Sequence, residues 1–299
     1  MVNHTKTAIP IDASSSAYER SVTAFRADPD MRGFVEKNYF DEDLSKAVAR
    51  YTASEEHART LRLISAHVPQ GGLVLDIGAG RGLTSLALAR SGYHVISIDE
   101  DNSPLVGITA LAHHLSATPE QAISPIRGNI LELAFPKDTF DVVFCRSVLH
   151  HLTNLETGLK EVYRVLKSGG VFVACNEHII SVFSDGARFH KNHPAVKHGV
   201  DERAYPACGY ARRCRKAGFR KVGFFGNPLD YHEFLSASER NRIRARLIAL
   251  PIVGRPASRV LHKLHVLKRA YLSVPEERLV VTSIIGFKTS NCSKHASPR

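Results

Sequence analysis

The stretch VLDIGAGRGLTSLALA, at residues 74–89, is the part of the sequence that decides the fold. Its apolar start, which ends at Asp76, predicts a short buried strand, and its Leu- and Ala-rich end predicts a helix. Gly78, Gly80 and Gly82 lie between the two. Glycines at such a turn let the backbone approach a ligand closely, and the helix amino terminus offers unpaired N–H groups. The turn therefore predicts a site for an anionic or carboxylate-bearing cofactor.

The spacing of these glycines narrows the class of cofactor. Their order is G-x-G-x-G, whereas the dinucleotide fingerprint of dehydrogenases is G-x-G-x-x-G. A phosphate-binding P-loop needs Gly-Lys-Ser/Thr, and the GLTS at residues 82–85 lacks the lysine. Both of these alternatives are therefore weakened.

Strand-like and helix-like segments alternate from residue 73 onward. The predicted strands cover residues 73–76, 94–99, 123–127, 140–145, 171–175, 220–226 and 278–287. The predicted helices cover residues 83–90, 104–116, 156–168 and 210–217, the third of them closed by Gly169 and Gly170. The first five strands are apolar along their whole length, which is typical of a parallel sheet covered on both faces. The predicted fold class is therefore α/β, with a doubly wound, seven-stranded and mostly parallel sheet.

The composition is that of a soluble globular protein, with 43% hydrophobic and 23% charged residues in a chain of 299. The polar start predicts no signal peptide, and no run reaches the roughly 20 apolar residues that a membrane-spanning helix needs. The five cysteines are scattered without close pairs. This pattern predicts a reducing, cytoplasmic location and no structural metal site.

The net charge of +11 is distributed unevenly along the chain. Residues 1–178 carry 17 Lys and Arg against 21 Asp and Glu, whereas residues 179–299 carry 23 against 8. This asymmetry bears on partners and not on the fold. We divide the chain into an amino-terminal helical cap over residues 1–70, an α/β domain over residues 71–290 and a flexible tail over residues 291–299. Residues 227–276 are a basic helical insertion before the last strand.

Further motifs follow the glycine turn at regular intervals. Asp99 closes the second predicted strand, and GNILELAF at residues 128–135 leads into FDVV at residues 140–143. With these motifs in this order, residues 70–178 resemble class I S-adenosylmethionine-dependent methyltransferases of the small-molecule type. The family pattern is a glycine loop after an acidic residue, an acid at the end of the second strand, and G-D-x-x-x-L-P-F before F-D-x-V. Asn129 departs from this pattern, because the family usually has Asp there.

The resemblance implies a Rossmann-like methyltransferase fold, S-adenosyl-L-methionine as cofactor, and transfer of its methyl group by in-line displacement. The implied cofactor-binding residues are Asp76, Gly78, Ala79, Gly80 and Gly82 around the methionine and ribose, Asp99 at the ribose diol, Glu100, Asn129 and Ile130 around the adenine, and Cys145 and Arg146 at the methionine end. Asn129 can still accept a hydrogen bond through its amide oxygen, so we expect binding to be kept. The alternative for the acidic residues is that they are solvated ends of strands.

Ligands of such sheets lie at the carboxyl edge of the strands, which singles out residues after the fourth and fifth strands. The acceptor-side candidates are His150, His151, Glu177 and His178, together with Tyr18, Tyr39 and Phe40 of the cap. The alternative for the two adjacent histidines is that one packs in a helix turn and the other is solvated, so no catalytic base is named. If the sheet ends as it does in the family, the insertion at residues 227–276 leaves from the cofactor edge. It then forms part of a lid or packs on the flank of the sheet.

Three functions are compatible with the sequence. The favoured one is a methyltransferase that acts on a small molecule, with an anionic metabolite as one option. The second is a methyltransferase that acts on RNA or on a membrane-surface lipid through the basic carboxyl-terminal half. No appended RNA-binding module is visible, which weighs against the RNA acceptor. The third is a protein that binds S-adenosylmethionine without turnover, and the intact glycine loop argues against it.

Overall fold

A computed structural model describes residues 15–179, 186–225 and 280–288 of the chain. These residues form a seven-stranded sheet in the order β3-β2-β1-β4-β5-β7-β6. The strands are β1 (Leu73–Ile77), β2 (His94–Asp99), β3 (Ile123–Arg127), β4 (Phe140–Arg146), β5 (Leu166–Ile179), β6 (Lys221–Phe225) and β7 (Val280–Phe287). Strands β1 to β5 pair in parallel, and β7 lies antiparallel to both β5 and β6. The predicted fold class, a doubly wound and mostly parallel sheet, is confirmed.

Helices cover the sheet and extend beyond it. They are α1 (Ala17–Ala27), α2 (Arg32–Lys37), α3 (Leu44–Thr52), α4 (Glu55–Ser65), α5 (Leu83–Arg90), α6 (Ile108–Ala117), α7 (Leu155–Val165), α8 (Gly186–Asn192) and α9 (Ala207–Ala217). Short 3-10 helices lie at Pro29–Met31, Leu149–His151 and Pro194–His198. No helix among the described residues is long and apolar enough to span a membrane.

The central strands are buried on both faces, as their continuous apolar sequences predict. Along β4, Val143 belongs to one core cluster, while its neighbours Val142 and Phe144 belong to a second cluster on the opposite face. All three side chains have no exposed surface. The cap packs on the second cluster through Val48 of α3 and Ile64 of α4. The sheet edge that carries the carboxyl ends of β1, β2 and β4 is thereby held rigidly.

The predicted end of the third helix is wrong. Helix α7 ends at Val165, and strand β5 begins at the next residue, so Gly169 and Gly170 lie within the strand. The register between β4 and β5 shifts near the start of this pair. Gly169 has a φ of 85°, and its N–H donates to the carbonyl oxygen of Lys288 at 2.7 Å. The two glycines therefore lie at an irregular part of the sheet and do not terminate the helix.

Three parts of the predicted organisation lie outside the described residues. They are the first 14 residues, the basic insertion at 227–276 and the tail at 291–299. The alternatives of a lid and a flank position for the insertion both fall there. The RNA and lipid acceptors, which depend on that basic segment, remain predictions.

Candidate functional site

A cavity of about 1310 Å³ opens at the carboxyl edge of the sheet. Its walls include the glycine turn after β1, the end of β2, the segments that follow β3, β4 and β5, and residues of the cap. The sequence-predicted residues in these walls are Gly78, Ala79, Gly80, Asp99, Glu100, Asn129, Ile130, Arg146, His150, His151, His178 and Tyr39. Tyr18 and Phe40 of the cap also line it. Residues distant in sequence therefore surround one space.

The glycine turn holds Asp99 in place at one end of the cavity. The N–H of Gly80 donates to Oδ2 of Asp99 at 2.7 Å, and the N–H of Asp101 donates to Oδ1 at 2.8 Å. Gly80 has a φ of 52°, and a Cβ there would lie 2.9 Å from the carbonyl oxygen of Val106. Burial raises the pKa of Asp99 to about 6, although the two N–H groups oppose the shift. The carboxylate is therefore fixed beside the backbone of the glycine turn. We call this part of the cavity, Asp99 with the turn at Gly78–Gly80, the cofactor end.

The family resemblance implies that Asp76 faces the ligand, but Asp76 does not line the cavity. Its Oδ2 accepts hydrogen bonds from Thr84 Oγ1 at 2.7 Å and Ser85 Oγ at 2.6 Å, both at the start of α5. The side chain has no exposed surface, and burial raises the pKa of Asp76 to about 6. Its Oδ1 accepts no hydrogen bond from the described residues. The carboxylate therefore anchors the helix that follows the turn and supports the site from behind.

Three other expected residues also lie behind the wall. Gly82 has a φ of 89°, and a Cβ there would lie 2.4 Å from Leu111 Cδ1, so this glycine permits close packing of the turn on α6. Cys145 is fully buried within a core cluster. Glu177 is fully buried beneath the histidines. The structure describes these three residues in packing positions, and their predicted contacts with a ligand remain predictions.

Asn129 makes two hydrogen bonds with its own surroundings. Its Nδ2 donates to Glu100 Oε2 at 2.9 Å, and its Oδ1 accepts from the N–H of Leu131 at 2.8 Å. Ile130, only 6% exposed, lies beside it in the same wall. The amide thus fixes the loop after β3 and orients Glu100 at the edge of the cofactor end.

Arg146 joins the end of β4 to the cap. Its Nε donates to Glu56 Oε1 at 2.7 Å and its Nη2 to Glu56 Oε2 at 3.3 Å, an ion pair with two contacts. The guanidinium lies 5.3 Å from the ring centroid of Tyr39 and 5.7 Å from that of Tyr51. Burial opposes the charge, but the Glu56 carboxylate keeps the pKa of Arg146 above its ordinary value. This pair fixes the middle of the cavity wall.

Glu177 organises the turn after β4. Its Oε1 accepts from the backbone N–H groups of Val148 and Leu149, and its Oε2 accepts from the backbone N–H of His150 at 3.1 Å. Nδ1 of the His150 ring also lies 2.8 Å from that oxygen. Burial raises the pKa of Glu177 to about 7, against the three backbone N–H groups that lower it. Burial, reinforced by neighbouring imidazoles, lowers the pKa of His150, so its ring is neutral.

Glu202 is the central residue of the opposite end of the cavity, and the sequence interpretation missed it. It is 4% exposed, and its carboxylate is surrounded by histidine rings. The surrounding rings are His150, His151, His178 and His193. Burial would raise the pKa of Glu202, but the His178 ring, 3.3 Å from its Oε2, and the charges of the neighbouring histidines hold it below its ordinary value. We call this cluster, Glu202 with its four histidines, the histidine end.

The sequence shows only part of the histidine end. Residues 190–202 contain His193 and Glu202, but two further histidines of this segment, His190 and His198, do not belong to the cluster. The prediction of no metal site rested on the cysteines, whereas two groups of three side chains in the described part of the chain are close enough to hold a metal ion. These groups are His150, His151 and Glu202, and His178, His193 and Glu202.

Tyr18 of α1 lies between the two ends. Its ring makes edge contacts with Phe40 at 6.1 Å and with His151 at 6.4 Å between centroids. Burial, together with the charges of Glu202 and Asp99, raises its pKa, so the hydroxyl stays protonated. The cap thus supplies a neutral donor to the interior of the cavity.

Comparison with known proteins agrees with this geometry. Residues 75–174 match the family model described as a methyltransferase domain. The chain is 36% identical over 106 residues to a demethylmenaquinone methyltransferase of Clavibacter sepedonicus, covering 35% of this chain and 41% of that protein. It is 30% identical over 135 residues to a sterol 24-C-methyltransferase of Eremothecium gossypii, covering 45% of this chain and 34% of that protein. The chain therefore spans less than half the length of these relatives.

A solved structure shares the fold. Phosphoethanolamine N-methyltransferase 2 of Haemonchus contortus, in complex with phosphomonomethylethanolamine and S-adenosylhomocysteine, superposes with a TM-score of 0.55 and 17% sequence identity. The match covers 89% of this chain and 60% of that one. At this identity the likeness concerns the fold alone.

Proposed function

We propose that this chain, which contains a methyltransferase domain at residues 75–174, transfers the methyl group of S-adenosylmethionine to a small-molecule acceptor. The observation that carries the proposal is the fixed Asp99 carboxylate beside the glycine turn, in a cavity that continues to the histidine end. At about 1310 Å³ the cavity exceeds the roughly 300–1,000 Å³ of a typical small-molecule pocket. It has room for a nucleoside and a second molecule together.

The chemistry of the cofactor end fits the nucleoside of this cofactor. Each oxygen of Asp99 accepts one backbone N–H, so each keeps a lone pair for a hydroxyl of a ribose diol. Gly78 and Gly80 bring backbone without a Cβ to the cavity, where the ligand would lie. Glu100 and Ile130 border the space next to it, where the adenine would lie. When bound, the cofactor supplies a methyl group already activated on a sulfonium.

The chain's own contribution to methyl transfer is mostly orientation. A positioned nucleophile in a water-poor site can gain on the order of 7–11 kcal/mol from proximity alone. Arg146 and its Glu56 partner hold the wall between the two ends, and Tyr18 covers it from the cap. Tyr39, His151 and His178, which also line the cavity, are the residues we propose to contact the acceptor.

His151 is the residue we assign to accept a proton from the acceptor, if the acceptor carries one. Its Nδ1 lies 2.8 Å from the backbone carbonyl oxygen of Asp201, which can only accept, so the ring proton is at Nδ1. Nε2 is then the basic nitrogen. The His151 side chain is 29% exposed, whereas that of His150 is 2% exposed and held by Glu177. His151 is thus the more accessible of the two.

The acceptor class is proposed from the relatives. The two curated proteins are named for a sterol and a demethylmenaquinone, and both of these acceptors are small molecules.

Titration calorimetry with S-adenosylhomocysteine tests cofactor binding. We expect saturable binding to the full chain and a loss of at least about 100-fold in affinity in Asp99→Ala, because two charge-assisted hydrogen bonds of roughly 1.5–3 kcal/mol each disappear. Asp30→Ala is the matched control, since Asp30 is exposed and lies outside the cavity. Absence of binding in the unaltered chain, or an unchanged affinity in Asp99→Ala, contradicts the proposal.

A second experiment tests the acceptor class. Cell extract is incubated with the protein and methyl-labelled S-adenosylmethionine, then separated into small-molecule, lipid, RNA and protein fractions. We expect label in the small-molecule or lipid fraction, dependent on Asp99. Label confined to RNA or protein would contradict the proposed acceptor class but would still support methyl transfer.

A further inference from the structure

The histidine end brings together residues from separate segments of the chain. His150 lies in the 3-10 helix after β4, His178 lies near the end of β5, and His193 immediately precedes the 3-10 helix Pro194–His198. Glu202 follows that helix and projects its carboxylate among the three rings. No function assigned so far uses this carboxylate.

The carboxylate of Glu202 lies at ligand-to-ligand distances from the imidazole nitrogens. Its Oε2 is 3.3 Å from His178 Nε2, and its Oε1 is 3.5 Å from His193 Nδ1. Around a tetrahedral ion with bonds of about 2.0–2.2 Å, neighbouring ligand atoms are separated by roughly 3.3–3.6 Å. The spacing matches two edges of a coordination shell, one at each oxygen of the carboxylate. Metal binding at His193 Nδ1 would replace the 3.4 Å hydrogen bond that this nitrogen accepts from the N–H of Ala195.

Glu202 also lacks the hydrogen bonds that a buried carboxylate needs. It is 96% buried, and its Oε2 accepts no hydrogen bond with good geometry from any residue that the structure describes. A buried charge without such partners is costly unless a counter-charge lies beside it. The carboxylate is thus oriented toward a place where a cation is required.

The ring of His150 also faces the Glu202 carboxylate, through its Nε2 atom. Its Nδ1 lies against the Glu177 carboxylate, so the ring proton sits there and Nε2 carries a lone pair. That Nε2 lies 3.6 Å from Glu202 Oε2. Two lone pairs facing each other at this distance repel, and a cation bound to the Glu202 carboxylate lowers that repulsion.

We propose that Glu202, His178 and His193 bind a divalent first-row transition-metal ion, with His150 facing it across the carboxylate. Two imidazoles and one carboxylate are a donor set that zinc(II) and iron(II) accept. The three side chains lie in the cavity wall, so the remaining coordination positions face the space where an acceptor would lie. An oxygen of that acceptor is the ligand that would complete the shell. The site goes beyond the proposed function, because it depends on the histidine end alone.

Cobalt(II) titration tests the site directly, since cobalt(II) bound to imidazole and carboxylate gives visible ligand-field bands. The full chain is prepared without a histidine tag, stripped with chelator, and titrated with cobalt(II) in the absence of cofactor and acceptor. We expect one equivalent to bind, with bands that zinc(II) abolishes by displacement. Glu202→Gln, His178→Ala and His193→Ala should each weaken cobalt(II) by at least about tenfold, since even outer partners of a metal site contribute 10–100-fold.

His113→Ala is the matched control, because His113 is exposed on α6 and outside the cavity. It should bind cobalt(II) like the unaltered chain. Circular dichroism of the stripped variants checks folding, and Glu202→Gln preserves the shape of the side chain. The rival explanation is a protonated imidazole that neutralises Glu202. Absence of stoichiometric binding, or equal cobalt(II) affinity in Glu202→Gln and the unaltered chain, supports that rival and overturns the proposal. Neither result depends on whether S-adenosylmethionine binds.

Discussion

The two ends of the cavity satisfy their buried carboxylates in opposite ways. At the cofactor end, Asp99 accepts two backbone N–H groups supplied by residues near it in the fold. At the histidine end, Oε2 of Glu202 accepts no hydrogen bond of good geometry from the described residues, and the carboxylate faces imidazole nitrogens. The first carboxylate keeps lone pairs to which a neutral hydroxyl can donate. The second has an unpaired oxygen among imidazoles, where we propose a cation, so the two ends suit different ligands.

The largest expected effect is on the free energy of unfolding, and it distinguishes substitution of Glu177 from substitution of Glu202. Glu177→Ala leaves the backbone N–H groups of Val148, Leu149 and His150 unpaired in a buried site. At about 1–3 kcal/mol each, we expect the free energy of unfolding to fall by about 4 kcal/mol. Within the part of the chain that the structure describes, no backbone N–H donates to Oε2 of Glu202, so Glu202→Gln in chelator should cost below about 1 kcal/mol. Urea denaturation of both variants measures the difference, and equal costs would refute the distinction.

The next effect concerns the wall between the two ends. Glu56→Gln leaves Arg146 as an uncompensated charge that is only 11% exposed. Breaking a buried pair costs about 3–5 kcal/mol, and because the Glu56 side chain is 31% exposed we expect about 2 kcal/mol. Glu36→Gln is the matched control, because its pair with Arg32 is exposed on the surface, and its cost should stay below about 0.5 kcal/mol. Thermal melting compares them; a similar loss in both variants would show that the wall is not held by this pair.

A smaller effect tests the backbone of the cofactor end. Gly80→Ala places a Cβ 2.9 Å from the Val106 carbonyl oxygen in a left-handed conformation. Because the turn must shift, we expect the affinity for S-adenosylhomocysteine to fall about tenfold, which corresponds to ~1.4 kcal/mol. Gly71→Ala shares the positive φ of 84° but meets nothing within 4 Å, and it should bind normally. Equal binding by the two variants would show that close backbone approach at Gly80 is not needed.

The smallest effect is the pH dependence of cofactor binding. Ribose hydroxyls donate to the ionised form of Asp99, whose pKa in the free protein burial raises to about 6. Affinity is therefore full above this pKa and declines as the pH falls through it. From pH 7 to pH 5.5 we expect affinity for S-adenosylhomocysteine to fall about fourfold. Asp99→Asn should show a flat profile, and a pH dependence that persists in this variant would assign the titration to another group.

The sequence predicted the cofactor end better than the histidine end. The glycine turn, the acid that ends β2 and the loop at Asn129 are each short local patterns that follow a strand, and the parallel topology brings them to one edge. The hydrogen bonds from Thr84 and Ser85 to the Asp76 carboxylate were not predicted, because the sequence does not show which side chains face that carboxylate. Glu202 was missed, since only the folded chain brings it to His150 and His178, which are remote in sequence.

A crystal structure of the full chain with S-adenosylhomocysteine would show whether the nucleoside lies at Asp99. We expect both ribose hydroxyls within hydrogen-bond distance of the Asp99 carboxylate, with the sulfur directed toward the histidine end. Nucleoside density among the histidines around Glu202, with Asp99 uncontacted, would contradict it.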